Sequence, residues 1–308
     1  MRANVNDNHE AHVPVLLHEV ITFLDPHPGD FMIDGTVDGG GHAREILGRI
    51  GDTGTLLGLD WDDALLKECA ARLAGFKNAV LVHANYADLP NVLEANGKKL
   101  PGAQADGVLI DLGFSSEQLE RSGRGFSFSE ASKDEPLLMT YDDERTPVAR
   151  LLRELPEQEL ADIIYGFGGE RYSRRIAKAI KERGRRKPIE TSGELADTVR
   201  AALPKGYERG RIDAATRTFQ AFRIYANGEL ENLETLLERL PDIVKPGGGR
   251  AAIITFHSLE DRIVKNAFRE LAKREGTHLI TKKPVTAGRE EIAANPRSRS
   301  AKLRVIQL

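Results

Sequence analysis

Three aspartates close short apolar runs in this chain. Asp34 ends "DFMID", Asp60 ends "GTLLGLD" and Asp111 ends "ADGVLID". A fourth, Asp38, sits among glycines in "GTVDGGGHA", and His257 follows the apolar run "RAAIITF". Carboxylates in such places can accept hydrogen bonds from hydroxyls and amines, neutralise a cation or hold a proton. The glycines, Gly35, Gly39, Gly40 and Gly41, suggest a nucleotide loop, yet they lack the G-x-G-x-x-G spacing of dinucleotide sites. No Gly-Lys-Ser/Thr follows, so a Walker loop is excluded as well. Asp34 and Asp38 would also repel a pyrophosphate, by about 4 kcal/mol per charge pair at ~4 Å in a partly dry site.

A cationic nucleoside reverses that sign. Glycines let backbone approach a ligand closely, and the helix N–H groups after Gly41 suit a carboxylate. Asp34 or Asp38 can attract cationic groups. Asp60, 21 residues after Gly39, stands where a carboxylate accepts from ribose hydroxyls. S-adenosylmethionine, with its sulfonium, ammonium and carboxylate, has this charge pattern. Other roles compete: a helix cap for Asp60, a turn cap for Asp111, an interior imidazole for His257. Cys69 lies mid-helix and reads as packing.

The elements that must position these residues alternate. "DFMIDGT", "GTLLGLD", "NAVLVHANY" and "ADGVLIDLG" read as four strands, each followed by a helical pattern except the last. Short apolar strands bounded by turn residues predict a parallel sheet covered on both faces. The expected fold is α/β, doubly wound and Rossmann-like. After "IDLGFSS" the alternation stops for about a hundred residues of loop and helix. It resumes before "RAAIITF", "THLITKKP" and "KLRVIQL", which complete seven strands. The expected boundaries are 12–113 and 216–308 for the sheet domain and 114–215 for a helical insertion. Ser192 is expected to cap one helix of the insertion, and Ser258 with Asp261 to open the helix after the fifth strand.

At 308 residues, 40% hydrophobic and 30% charged, the chain has the composition of a soluble globular protein. No apolar run is long enough to span a bilayer, and the N-terminus lacks a signal-type apolar region, so a cytoplasmic protein is expected. A single cysteine excludes an internal disulfide and a cysteine-cluster metal site, and no metal is expected. The net charge of −3 conceals a basic block: residues 171–223 hold 15 Lys/Arg against 6 Asp/Glu. Such a block suits a polyanion or a solvated helical face.

The motifs "DLGFSSEQLE", "RGFSF", "GGERYSRRIAKAI", "ATRTFQAFRIYANGEL", "FHSLEDRIVK" and "NPRSRSAKLRV" resemble, in this order, those of the bacterial 16S ribosomal RNA cytosine-N4 methyltransferase H family, formerly MraW. The resemblance covers nearly the whole chain. It implies a class I methyltransferase sheet with a helical insertion after the fourth strand and S-adenosyl-L-methionine as cofactor. The implied activity is methylation of N4 of a cytidine in the decoding centre of 16S rRNA, within the small ribosomal subunit. A homodimer is compatible with it, and a catalytically weakened assembly factor of the same fold is the alternative. Cofactor contacts would fall on Gly40, Gly41, His42, Asp60, Tyr86, Asp111 and Gln118, with Asp34 added on charge grounds. Asp111, Ser115 and Ser116 are the candidate catalytic residues. Phe114, Phe126 and His257 are candidates to hold the base, and Arg171, Arg174, Arg175, Arg185 and Arg186 to grip phosphates. Phe128 reads rather as core. The chain departs from the family pattern at Asp38, usually glycine, at Leu138 and Thr140, usually Asp and Arg, and at Asp213-Ala214, usually His-Pro.

Overall fold

The structure, a computed structural model, describes residues 14–113, 122–204, 206–207 and 213–308. The strands are β1 (Phe31–Asp34), β2 (Thr55–Asp60), β3 (Ala79–His83), β4 (Gly107–Asp111), β5 (Arg250–Thr255), β6 (His278–Leu279) and β7 (Lys302–Gln307). The helices are α1 (Leu17–Leu24), α2 (Gly41–Ile50), α3 (Asp63–Arg72), α4 (Leu89–Ala95), α5 (Val148–Glu154), α6 (Glu157–Gly168), α7 (Ser173–Arg186), α8 (Ser192–Ala202), α9 (Thr216–Asn227), α10 (Glu229–Ile243), α11 (Ser258–Leu271) and α12 (Arg289–Ala294). Two compact units result: Met1–Gly113 with Leu236–Leu308, and Phe114–Thr235.

The first unit is built on a seven-stranded sheet in the order β3-β2-β1-β4-β5-β7-β6. Strands β1 to β5 run parallel, and β7 is antiparallel to both β5 and β6. Every residue of β1 and β4 is buried, as expected of central strands covered on both faces. Strand order reverses between β1 and β4, where an open α/β sheet offers its ligand crevice. Val20, Ile46, Leu47 and Ile50 of α1 and α2 pack with Met32, Leu56 and Leu109 of the sheet. The expected strand "THLITKKP" shrinks to two residues. Both Ile280 and Thr281 donate their N–H to the carbonyl of Val305, so the ladder loses its register there.

The second unit is helical. Ile163 and Ile164 of α6, Ile176 and Ile180 of α7, and Phe219 and Phe222 of α9 share one core. Helix α9 therefore belongs to this unit, and the boundary expected at 215/216 falls short of the contact boundary at Thr235. Gly228, with φ 61°, ends α9 and separates it from α10. The cap of α8 is Thr191, not Ser192: the Thr191 side chain accepts from the Glu194 N–H. The Ser192 hydroxyl instead donates to the buried carbonyl of Ser132 at 2.8 Å. Among the described residues no helix is long and apolar enough to cross a membrane.

Candidate functional site

Asp34, Asp60 and Asp111 are the last residues of three adjacent strands, β1, β2 and β4. Asp34 pairs in register with Gly58 on β2 and Leu109 on β4. Asp60 and Asp111 lie two residues further along, so the pleat puts all three on one face of the sheet. All are buried. Among the described residues no lysine or arginine forms an ion pair with any of them; the imidazole of His42 is nearest, its Nδ1 3.9 Å from Asp111 Oδ2.

Their hydrogen bonds differ. Asp60 accepts the N–H groups of Asp38 and Asp62, one on each oxygen, at 2.8 Å. Asp111 Oδ1 accepts the Gly113 N–H at 3.0 Å. Asp34 Oδ1 accepts a single, longer bond from the Thr36 N–H at 3.2 Å, and Asp34 Oδ2 has no hydrogen-bond partner among the described residues. Burial, the dominant cause, pushes the three carboxyls up in the reverse order of this support. Asp60 rises to about 6 and Asp111 to about 7. Asp34 rises to about 8, with the charges of Asp111 and Asp60 adding to desolvation.

Thr36 links two of these groups and was not singled out from the sequence. Its N–H serves Asp34, while its Oγ1 accepts the backbone N–H of Asp111 at 2.7 Å. The D-x-T spacing, an Asp followed two residues later by a hydroxyl, was the available signal.

The glycine loop is shaped chiefly by the protein itself. Gly40 caps α2 with φ 79°, and a Cβ there would sit 3.1 Å from Cys69 Sγ. A Cβ on Gly41 would meet Pro14 at 2.2 Å. Close packing against Cys69 and Pro14 thus requires glycine at both positions. Asp38 has φ 44°, in the left-handed region that glycine enters freely and Asp tolerates. Its contribution to Asp60 comes from the backbone N–H, which every residue but proline supplies.

His42, in the first turn of α2, is buried with Nε2 3.0 Å from the Val15 carbonyl. That contact makes Nε2 the donor and turns Nδ1 toward Asp111. Tyr86 opens the short 3₁₀ turn after β3, is buried, and lies beside Gly35. The structure thus gathers Asp34, Gly40, Gly41, His42, Asp60, Tyr86 and Asp111 at the carboxyl end of the sheet. Cys69 is buried behind the loop, and its thiol is pushed up to about 12 by burial and neighbouring carboxylates. It is packing.

Other expectations fare differently. Phe114, Ser115, Ser116 and Gln118 lie outside the described residues. His257 opens α11 as its N-cap: Nδ1 accepts from the Glu260 N–H at 3.4 Å, and Glu260 reaches back to the His257 N–H. The cap is therefore His257 with Glu260, not Ser258 with Asp261. Asp261 is held by Arg304 at 2.8 Å and Lys302 at 3.2 Å. His257 Nε2 lies 3.0 Å from Glu260 Oε1 without the alignment of a hydrogen bond. His257 is thereby fixed as the cap of α11 through Nδ1.

Phe126 is buried in the helical core and stacks on Tyr141 at 5.6 Å between centroids. Its burial removes it as a stacking platform. Phe128 packs on Phe219, as core. Arg171, Arg174, Arg175, Arg185 and Arg186 are exposed on and beside α7, and none pairs with a described acid. The departures find partners: Thr140 accepts from Arg124 through both its carbonyl and its hydroxyl, and Asp213 binds Arg200 through two guanidinium nitrogens.

A cationic nucleoside fits the strand-end site on three observations. Asp34 offers a buried oxygen with no hydrogen-bond partner among the described residues. Asp60 retains acceptor capacity beyond its backbone donors, since a carboxylate takes about four hydrogen bonds. The site holds three acids without a lysine or arginine counterion among the described residues, which rejects a phosphate and accepts a cation. Comparison with known proteins agrees. Residues 9–308 match the model of the MraW methylase family. "Ribosomal RNA small subunit methyltransferase H" of Syntrophus aciditrophicus is 45% identical, with 96% of this chain and 97% of that protein covered. The proteins of the same name from Syntrophotalea carbinolica and Syntrophobacter fumaroxidans are 44% and 42% identical over 96% of this chain, and over 97% and 96% of their own lengths. On that match over almost its entire length, this chain belongs to the MraW methylase family.

Proposed function

We propose that this protein is an S-adenosylmethionine-dependent methyltransferase of 16S rRNA, and that it modifies N4 of a cytidine in the decoding centre. The observation that carries the reading is the union of family membership with a strand-end site of three buried acids and no phosphate-binding spacing. When bound, the cofactor supplies an electrophilic methyl group on a sulfonium. Asp60 is proposed to take the ribose hydroxyls, Asp34 a cationic group, and the first N–H groups of α2 the carboxylate.

Asp111 is the proposed proton acceptor. Cytosine N4 is a weak nucleophile because its lone pair is shared with the ring, so drawing a proton from it helps the transfer. A carboxyl near 7 can accept that proton at neutral pH and release it afterwards. Its backbone N–H is fixed by Thr36 and its Oδ1 by Gly113, which leaves Oδ2, facing His42, for the exchange. Ser115 and Ser116, four and five positions later in the chain, are proposed to orient the base, and Phe114 to stack on it. A thiol nucleophile is not needed, and Cys69 is too deeply packed to be one. In the helical unit the exposed arginines of α7 are proposed to bind RNA phosphates.

Labelled-methyl transfer to isolated small subunits, compared with free RNA and with DNA, tests the substrate. Nuclease digestion and mass spectrometry should then give N4-methylcytidine. Label on a ring carbon or a ribose would overturn the proposed chemistry.

A further inference from the structure

The strand-end acids cannot all be ionised together without a counterion. Three carboxyls stand at the ends of neighbouring strands, all buried. Cys69 faces Asp34 and Asp60 from α3, with Asp38 and the Arg72 guanidinium close to the same thiol; Arg72 lies against Gly39 and makes no ion pair with the three acids among the described residues. His42 approaches Asp111 from α2, and Glu260 adds a further negative charge beside Asp111 from α11. Hydrogen bonding then decides which acid stays neutral. Asp60 has a backbone donor on each oxygen and Asp111 a 3.0 Å donor, whereas Asp34 has one 3.2 Å donor and a bare Oδ2. Hydrogen bonds to the charged form favour ionisation, so Asp34 holds its proton longest. A proton on Oδ2 still leaves a buried O–H without an acceptor, which costs free energy in its turn. Neither charge state of Asp34 is satisfied by the described residues alone.

We propose that Asp34 exchanges its proton for an onium centre of the cofactor, so that cofactor binding releases this proton to solvent. The step balances: the Asp34 O–H bond breaks, the proton leaves to buffer, and the carboxylate pairs with the cation. Asp34 thereby selects for positive charge, since a neutral ligand gives it no reason to ionise. The high carboxyl value of Asp34 is consistent with this exchange at neutral pH.

The inference rests on the cofactor reading above, and calorimetry separates the two. Binding of S-adenosylmethionine is measured at pH 7 in buffers of different ionisation enthalpy; the ligand amine, with an ordinary value near 8, is protonated there. The expected result is a buffer-dependent enthalpy equal to release of about one proton or more per cofactor. Asp34→Asn, which keeps the acceptor for Thr36, should release about one proton fewer. Titration with S-adenosylhomocysteine, which keeps the ammonium but has lost the sulfonium, assigns the cation. Release with both ligands identifies the ammonium, and release with S-adenosylmethionine alone identifies the sulfonium. Enthalpies independent of buffer in the wild-type protein overturn the proposal, as does an unchanged proton count in Asp34→Asn. Absence of any binding overturns the cofactor reading, and the proposal with it. If the variant does not fold, the wild-type buffer series decides alone.

Discussion

Among the described residues, three acids at the end of the sheet lack a Lys or Arg partner and five arginines on and beside α7 lack an acidic one, in opposite surroundings. Asp34, Asp60 and Asp111 are buried, and burial makes their charge conditional on a proton or a ligand. The arginines around α7 are exposed, and water keeps them charged at every physiological pH. The first region should therefore answer to pH and to small ligands, the second to salt and to polyanions. Unpartnered charge is one sequence-level feature with two physical meanings, and burial decides between them.

The largest effect that would sharpen this comparison is expected at Asp111. Asp111→Asn keeps the shape but cannot take a proton, and turnover should fall by about 10²- to 10⁴-fold. Methyl-transfer rates, with a thermal melt to show that the fold persists, check this. A variant with near wild-type turnover would remove Asp111 from the chemistry. On the other side, Arg174→Ala with Arg175→Ala should weaken RNA binding by about tenfold at low salt. It should also reduce the slope of log affinity on log salt by about 2. Cofactor affinity should not move; if it does, the two regions are not the independent devices described.

A smaller effect concerns stability. The Asp34 carboxyl rises from 3.8 to about 8 on folding. The folded chain thus keeps a proton that the unfolded chain has lost, and its stability falls as pH climbs from about 4 to about 8. Asp34→Asn removes this dependence, so its melting temperature should gain on the wild type as pH rises through that window. Parallel curves would show that Asp34 is not a buried acid of this kind. The smallest change is expected for Asp38→Gly. Glycine suits the φ of 44° and retains the N–H that serves Asp60. Cofactor affinity should stay within about tenfold, or ~1.4 kcal/mol. Loss of binding in calorimetry would make the Asp38 side chain a ligand in its own right.

Much of the strand-end site was legible before the structure, because its residues close apolar runs and strand ends bind ligands in sheets of this class. Asp34, Asp60 and Asp111 could be named for that reason alone. What remained hidden depended on local geometry. His257 and Ser258 are adjacent and both able to cap, and only backbone conformation chose His257. Phe126 lies in a loop-like segment that suggested an exposed ring, yet it turns inward into the helical core beside Phe128. The glycines suggested space for a ligand, while Gly40 and Gly41 fill contacts with Cys69 and Pro14 that lie distant in sequence. That Asp38 adopts a left-handed backbone is a matter of one dihedral angle, which residue type only hints at.

The break in register at Ile280 and Thr281 has a consequence for the chain's life in a crowded solution. An outermost strand of full length is a template on which other chains can pair and aggregate. Here the sheet ends on two residues, and "KKP" follows after Ile280 and Thr281, with Lys282 and Lys283 exposed. Charge, proline and a spoiled ladder together blunt that edge. Restoring a long, regular apolar strand at 278–284 would lengthen the sheet at the cost of inviting a neighbour onto it.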